Sequence, residues 1–266
     1  MITKILKASE CGNATARDLC VFLADYSARL LASGATCIRI DKNVKRIAQR
    51  YGMEADMTVM PRHIHLTVVD DCTCQIHTSI ATVPETGISF DVNTRLSRLS
   101  WEIADGKVDF HTAVERYYEV LHDNIQNRWV VLALVALANA SFCRLFGGDA
   151  VAMAIVGVAT LVGFFIKQEL AGRHTDVRLV FIICAFVSSV IASTDYVFAI
   201  GTTPQIAIGT SVLYLVPGIP FLNSFSDMLY RHYLCAFARF ADAVIMTASL
   251  SIGLCAGMFI MKIGMF

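Results

Sequence analysis

The chain has 266 residues with 22 basic and 22 acidic side chains, so it carries no formal net charge and offers no electrostatic footprint for nucleic acid. A mean hydropathy of +0.58 and 56% apolar residues exceed what a soluble globular domain needs. Charged residues concentrate before residue 129 and thin out after it, which predicts a polar domain over 1–126 and a membrane domain over 127–266.

The opening stretch MITKILKASECGNATARDL has no apolar h-region, so the polar domain is expected in the cytoplasm. Residues 14–33 place Leu19, Phe22, Leu23, Tyr26, Leu30 and Leu31 on one helical face, with Gly34 as the stop. Thr36 to Tyr51 reads as a second helix closed by Gly52. Met57–Val69 and Thr73–Val83 favour strands joined by an Asp70-Asp71 turn. Two amphipathic helices follow, in NTRLSRLSWEIADG and DFHTAVERYYEVLHDN. The expected class is therefore a cytoplasmic α+β domain of α/β type, followed by an all-α membrane domain.

Nine cysteines (Cys11, Cys20, Cys37, Cys72, Cys74, Cys143, Cys184, Cys235 and Cys255) are scattered rather than framed, which suits reduced thiols packed as small apolar groups. In PRHIHLTVVDDCTCQIH, His63 and His65 share a strand face, as do Cys72 and Cys74, and with His77 they could converge on a metal. The plainer reading is chance alternation on a half-buried sheet, because neither HxH nor CxC has a structural zinc spacing. No metal or other cofactor is expected. The chain has no GxSxG, HExxH, Walker loop or GxGxxG after a strand, so it is read as a non-enzyme without ATP coupling.

A bilayer core takes about 20 apolar residues in a helix. Five runs suit that length: 129–146, 150–166, 179–194, a short 205–222 broken at Pro217-Gly218, and 243–261. With the N-terminal domain inside, the loop KQELAGRHTDVR and the segment with Arg231, His232 and Arg239 also fall inside, as positive-inside loops should. An odd number of spans raises the question of a complementary partner.

Polar groups among these runs need reasons. Arg144 near the end of the first span and Asp149 five residues on read as a helix-end ion pair or as second-rank site residues. Ser249, Gly253 and Gly257 form a small-residue stripe, which predicts close contact with another span or subunit. The strongest local signal is LYLVPGIPFLNSFSD. Pro217 removes a backbone donor, Gly218 adds freedom, and Pro220 suits the start of a new helix. Asn223 and Asp227 then share a face. Either the helix is broken to expose backbone groups to a ligand, or the span ends at Pro217 and an interfacial helix follows.

LVPGIPFLNSFSDMLYRHYLCAFARFADA resembles the signature of the threonine/serine exporter (ThrE) family, here Pro217, Gly218, Pro220, Asn223, Asp227 and Arg239. ALANASFCRLFGGD is similar to the end of the family's first span, and LLASGATCIRID to its helix junction at Leu30, Leu31, Ser33, Gly34, Ala35 and Arg39. The resemblance implies a cytoplasmic domain plus membrane helices, with full-length members carrying about ten spans in two halves. This chain matches the N-terminal half, so it looks like the larger subunit of a split, two-component exporter.

The expectation is thus a multi-pass subunit in the bacterial inner (cell) membrane. It would export threonine/serine-type amino acids, or alternatively a C4-dicarboxylate such as succinate, driven by protons. A smaller membrane subunit of the same family would be its partner, in an oligomer surrounded by lipid. Asp227 is the candidate coupling or ammonium-binding carboxylate and Arg239 its counter-charge. Asn223 and Ser224 are candidate polar ligands, and Pro217-Gly218 the hinge. Tyr230-Arg231-His232 departs from the family pattern by adding cationic character. A membrane-anchored hydrolase or a regulatory subunit is the reading from another class.

Overall fold

The computed structural model describes residues 15–123, 127–173 and 175–263, so Cys11 lies outside the described residues. The chain divides into two compact units. One holds the N-terminal helices and strands together with Ile219–Phe240; the other holds the helices up to Gly218 and the chain from Ala241.

In the first unit, helix α1 (Ala16–Ala32) starts where the Thr15 hydroxyl accepts the Asp18 N–H at 3.2 Å, a local N-cap. Its apolar face, Leu19, Phe22, Leu23, Tyr26 and Leu30, is buried as the 3.6-residue period predicts. Gly34 ends the turn at φ +91°, and a Cβ there would lie 2.8 Å from the Ile88 side chain, so only glycine fits. Helix α2 (Cys37–Arg50) follows.

Three antiparallel strands come next, β1 (Met53–Val59), β2 (His63–Asp70) and β3 (Ile76–Thr82), in the order β1-β2-β3. The sequence pattern alone merges β1 and β2 into one strand over Met57–Val69. The chain instead reverses at Pro61-Arg62, closed by Met60 N–H to the His63 carbonyl at 2.9 Å. Pro61 lacks a ladder donor and presets φ for a turn, which is why the strand breaks there. The Asp70-Asp71 turn forms as expected. The Asp70 carboxylate accepts the Thr73 hydroxyl at 2.7 Å and Cys72 N–H at 2.9 Å, which together hold its pKa below the usual range. Ile64, Leu66 and Val68 of β2 are buried on the face covered by α1. Helices α3 (Phe90–Ala104) and α4 (Phe110–His122) complete the domain, with α3 packed against α2.

The second unit is helical: α5 (Arg128–Leu145), α6 (Ala150–Gly172) and α7 (Val177–Phe198) are each long and apolar enough to cross a membrane. A short α8 (Pro204–Ser211) and a single 3-10 turn (Leu213–Leu215) follow, and then the helix breaks. Val216 is extended, Pro217 cannot donate, and α9 (Gly218–Leu229) begins anew. The last helix, α10 (Tyr233–Ile260), also passes the length and hydropathy test. The described residues therefore hold four candidate spans, or up to five if the broken pair counts as one. The helix of the expected last span, 243–261, begins ten residues earlier, at Tyr233. Arg239 and Asp242 lie inside the helix, and Arg239 is paired there with Asp227 at 2.7 Å.

Within this unit the small-residue stripe meets α7. A Cβ on Gly253 would collide with the Ile182 carbonyl, and one on Gly257 would lie 2.7 Å from Ser189. Backbones approach this closely only at glycine. Asn139 supplies a polar tie, donating to the Thr160 hydroxyl at 2.6 Å and to the Thr210 carbonyl at 3.2 Å.

Candidate functional site

Helix α2 has an N-terminus without a local cap. Thr36 precedes it, but its side chain makes no capping bond. The cap comes from 190 positions along the chain, where Asp227 Oδ1 accepts the Cys37 N–H at 2.8 Å. A carboxylate at a helix N-terminus satisfies an orphan donor and complements the positive end of the helix dipole.

The other carboxylate oxygen, Oδ2, accepts Arg239 Nη1 at 2.7 Å, and Arg239 Nη2 donates to the Ala35 carbonyl at 2.7 Å. Asn223 Nδ2 donates to the Gly34 carbonyl at 2.8 Å. The Asp227 side chain is fully buried and that of Arg239 is 16% exposed. Asn223 and Asp227 are one turn apart on α9, so their shared face presents both to the Gly34–Cys37 corner. Two stretches that resembled family motifs separately thus form one hydrogen-bonded cluster within one unit.

The candidates differ in what they do. Ser224 is buried and donates to the Ala236 carbonyl at 2.9 Å, which ties α9 to α10 instead of offering a ligand group. Pro217 and Gly218 mark the helix break. Arg144 donates to the Gly148 carbonyl at 3.1 Å and, among the described residues, forms no ion pair with Asp149. Asp149 caps α6, accepting Ala152 N–H at 2.7 Å, and holds the Thr202 N–H at 2.6 Å and its hydroxyl at 2.9 Å. These donors lower its pKa to about 2.

The histidine-cysteine group does not assemble. In the β2–β3 register His77 pairs with Val68, so it lies on the Ile64–Leu66–Val68 face while His63 and His65 lie on the other. Cys72 and Cys74 are exposed in the turn. Among the described residues the one group of three with ligand atoms in reach of one another, all within 4.8 Å, is Cys37, Asp227 and Cys235. Its carboxylate already holds the Arg239 guanidinium, so an added metal ion would sit against a resident cation. The trio fits an ion pair flanked by thiols. A hydrogen bond with Cys235, then burial, raises the Cys37 pKa and keeps that thiol protonated.

Sequence reasoning missed Asp195. It is fully buried near the end of α7, and its Oδ1 accepts the Gly201 N–H at 2.7 Å. Its Oδ2 has no partner among the described residues. A charge inside an apolar run is the signal that finds such a group, but the third apolar run closes at Thr194, one residue short.

The apolar helices and the buried charge pair beside a broken helix define a multi-pass membrane protein of transporter type. The chain belongs to the family described as "Putative threonine/serine exporter" (ThrE), whose family model matches residues 21–261. It is 30% identical over 237 residues to the "Probable succinate transporter subunit YjjP" of Klebsiella aerogenes, covering 88% of this chain and 90% of that protein. The Escherichia coli protein of the same name is 29% identical over 226 residues, 84% of this chain and 87% of the relative. A "Probable threonine/serine exporter" of Mycobacterium tuberculosis is 24% identical over 246 residues, which is 89% of this chain but 44% of that protein. No solved structure matches the chain.

Proposed function

We propose that this chain is one subunit of a two-component secondary exporter that carries small carboxylate metabolites out of a bacterial cell, with succinate-type dicarboxylates as the first substrate class and threonine/serine-type amino acids as the second. The observation that carries this reading is the buried Asp227–Arg239 pair, held where a broken helix meets the Gly34–Cys37 corner. Near-complete correspondence with proteins named transporter subunits favours the split arrangement and the dicarboxylate. The smaller subunit would supply what the longer threonine/serine exporter relative carries in its remaining length.

In this reading Arg239 is the one cation in the cluster able to receive a substrate carboxylate, and it is held by Asp227 until the pair opens. A proton arriving on Asp227 would release Arg239, which couples substrate capture to the proton gradient. The N-terminal domain lies on the cytoplasmic side, from which substrate enters.

The test is efflux from proteoliposomes containing both subunits, loaded with labelled succinate or threonine. Asp227→Asn should lower proton-coupled efflux by about tenfold or more, since loss of one charge partner is worth more than the ~1.4 kcal/mol that tenfold represents. Wild-type rates from that variant would overturn the role of Asp227. Efflux of threonine but not succinate would replace the dicarboxylate with the amino acid.

A further inference from the structure

Helix α2 carries a second feature that the Asp227 cluster leaves unused. Arg39, Lys42 and Arg46 recur at helical spacing along one face, and α3 sets Ser97 and Trp101 opposite them. Between the two helices lies an open cavity of about 580 Å³ lined by these residues. It falls in the size range of small-molecule sites, and its walls mix polar and apolar surface with three cationic side chains.

Among the described residues the three cations have no acidic partner. Arg39 Nη1 donates to Asn93 Oδ1 at 2.9 Å, and Arg46 Nη1 donates to Asn43 Oδ1 at 3.0 Å and to the Ser100 hydroxyl at 2.7 Å, all neutral acceptors. No carboxylate among those residues lies within 4.0 Å of Arg39, Lys42 or Arg46. On the neighbouring face Lys45 is paired with Asp41 at 3.0 Å, and Arg62, Lys107 and Arg116 are likewise paired with acids. A chain with no net charge has enough carboxylates to neutralise this groove, yet they lie elsewhere.

Like charges one turn apart repel each other, so an uncompensated row costs stability unless an anion is received. The groove is also preorganised. Arg46 stacks over the Trp101 ring at 3.6 Å, and Asn43 is fixed by bonds to Tyr26 at 3.1 Å and Ser97 at 3.3 Å. Guanidinium groups held by neutral partners keep N–H donors for carboxylate or phosphate oxygens.

We propose that the α2–α3 groove binds a compact anion bearing two or more negative charges, a dicarboxylate or a phosphate, in the N-terminal domain. The phosphate could be free in solution or the headgroup of an acidic lipid, and the chemistry of recognition is the same. The site is separate from the Asp227 cluster and does not depend on which solute the helices transport. It serves as a sensor or a capture site for an anion.

Trp101 is 56% exposed in the groove, and the chain has only one other tryptophan, Trp129. A Trp129→Phe variant of the full chain in nanodiscs therefore reports on the groove through Trp101 fluorescence. With zwitterionic lipid, titration with succinate or inorganic phosphate should give a saturable change, and threonine should not. Arg39→Gln and Lys42→Gln should each weaken binding by about tenfold, Lys42→Arg should retain it, and Lys45→Gln should leave it unchanged. If phosphatidylglycerol in the disc shifts Trp101 and abolishes the response to soluble anions, the occupant is the lipid headgroup. Absence of any saturable response to either anion or to the anionic lipid would overturn the proposal. So would a response insensitive to Arg39→Gln and Lys42→Gln. Because Arg39 and Lys42 are exposed, these variants test charge without disturbing the core.

Discussion

At the scale of single residues, Asp227 is the group with most to lose. Its two oxygens hold one helix N-terminus and one guanidinium, and neither can be replaced by water in a fully buried position. Asparagine in its place can still accept the Cys37 N–H but leaves Arg239 without a counter-charge. Removing one partner of a buried pair costs about 3–5 kcal/mol, and the partial exposure of Arg239 places this case at about 3 kcal/mol. Thermal unfolding of the detergent-solubilised protein should show the loss, and Asp227→Asn with Arg239→Gln should recover part of it, giving a favourable coupling in a double-mutant cycle. Additive losses would mean that the two residues act separately. Asp227, Arg239 and Asn223 were legible in the sequence, because polar groups in an apolar stretch demand a reason. Their partners were not. The Gly34 and Ala35 carbonyls and the Cys37 N–H are backbone groups, present in every residue, and nothing in composition marks the ones that are used. Cys37 was also legible only as a small apolar group. Its buried thiol, kept protonated by its hydrogen bond to Cys235, should react with maleimide only after unfolding, while Cys72 and Cys74 react in the native state. Mass mapping of labelled peptides would check this order.

At the scale of elements, backbone approach decides more than side-chain character. The α7–α10 seam tolerates no Cβ at Gly253 without displacing the Ile182 carbonyl, and none at Gly257 without moving Ser189. Gly257→Val should therefore cost about 1–3 kcal/mol through overpacking and lower the unfolding midpoint, while a change at the exposed position Lys45 should not. This seam was legible because small residues at i, i+4 and i+8 have few other uses in an apolar helix. The β1–β2 turn was less legible, since alternating residues on both sides of Pro61 concealed the break. The loop after α7 follows the same logic of close approach. Its Gly201 and Thr202 N–H groups go to Asp195 and Asp149 in turn, and a Cβ on Gly201 would lie 2.8 Å from one Asp195 oxygen and 3.1 Å from an Asp149 oxygen. The donors on Asp149 depress its pKa from 3.8 to about 2, so the stability it contributes is complete above its ordinary pKa and is lost only as pH falls through about 2. Asp149→Asn should accordingly leave the pH profile of transport between about pH 5 and 8 unchanged. A shifted profile would move the coupling role from Asp227 to Asp149.

At the scale of the whole molecule, charge distribution sets an expectation for topology that the folded units alone do not. The end of α6, the loop after it and the start of α7 carry Lys167, Arg173 and Arg178, and the α9–α10 corner carries Arg231 and His232, while the loops after α5 and α7 have no lysine or arginine. Positive loops are retained on the cytoplasmic side. The N-terminal domain should therefore share that side with the segment after α6. The β2–β3 turn provides the probe, because Cys72 and Cys74 are exposed there without being placed in any site. In intact cells stripped of an outer membrane barrier, an impermeant maleimide should leave the peptide containing them unmodified, and opening the cell membrane should make both reactive. The same experiment with a cysteine at Thr202 in the loop after α7 should give the reverse order. Labelling of Cys72 and Cys74 in sealed cells would place the domain outside. The α2–α3 groove would then face external anions, and the Asp227 cluster would meet substrate after its passage rather than before it.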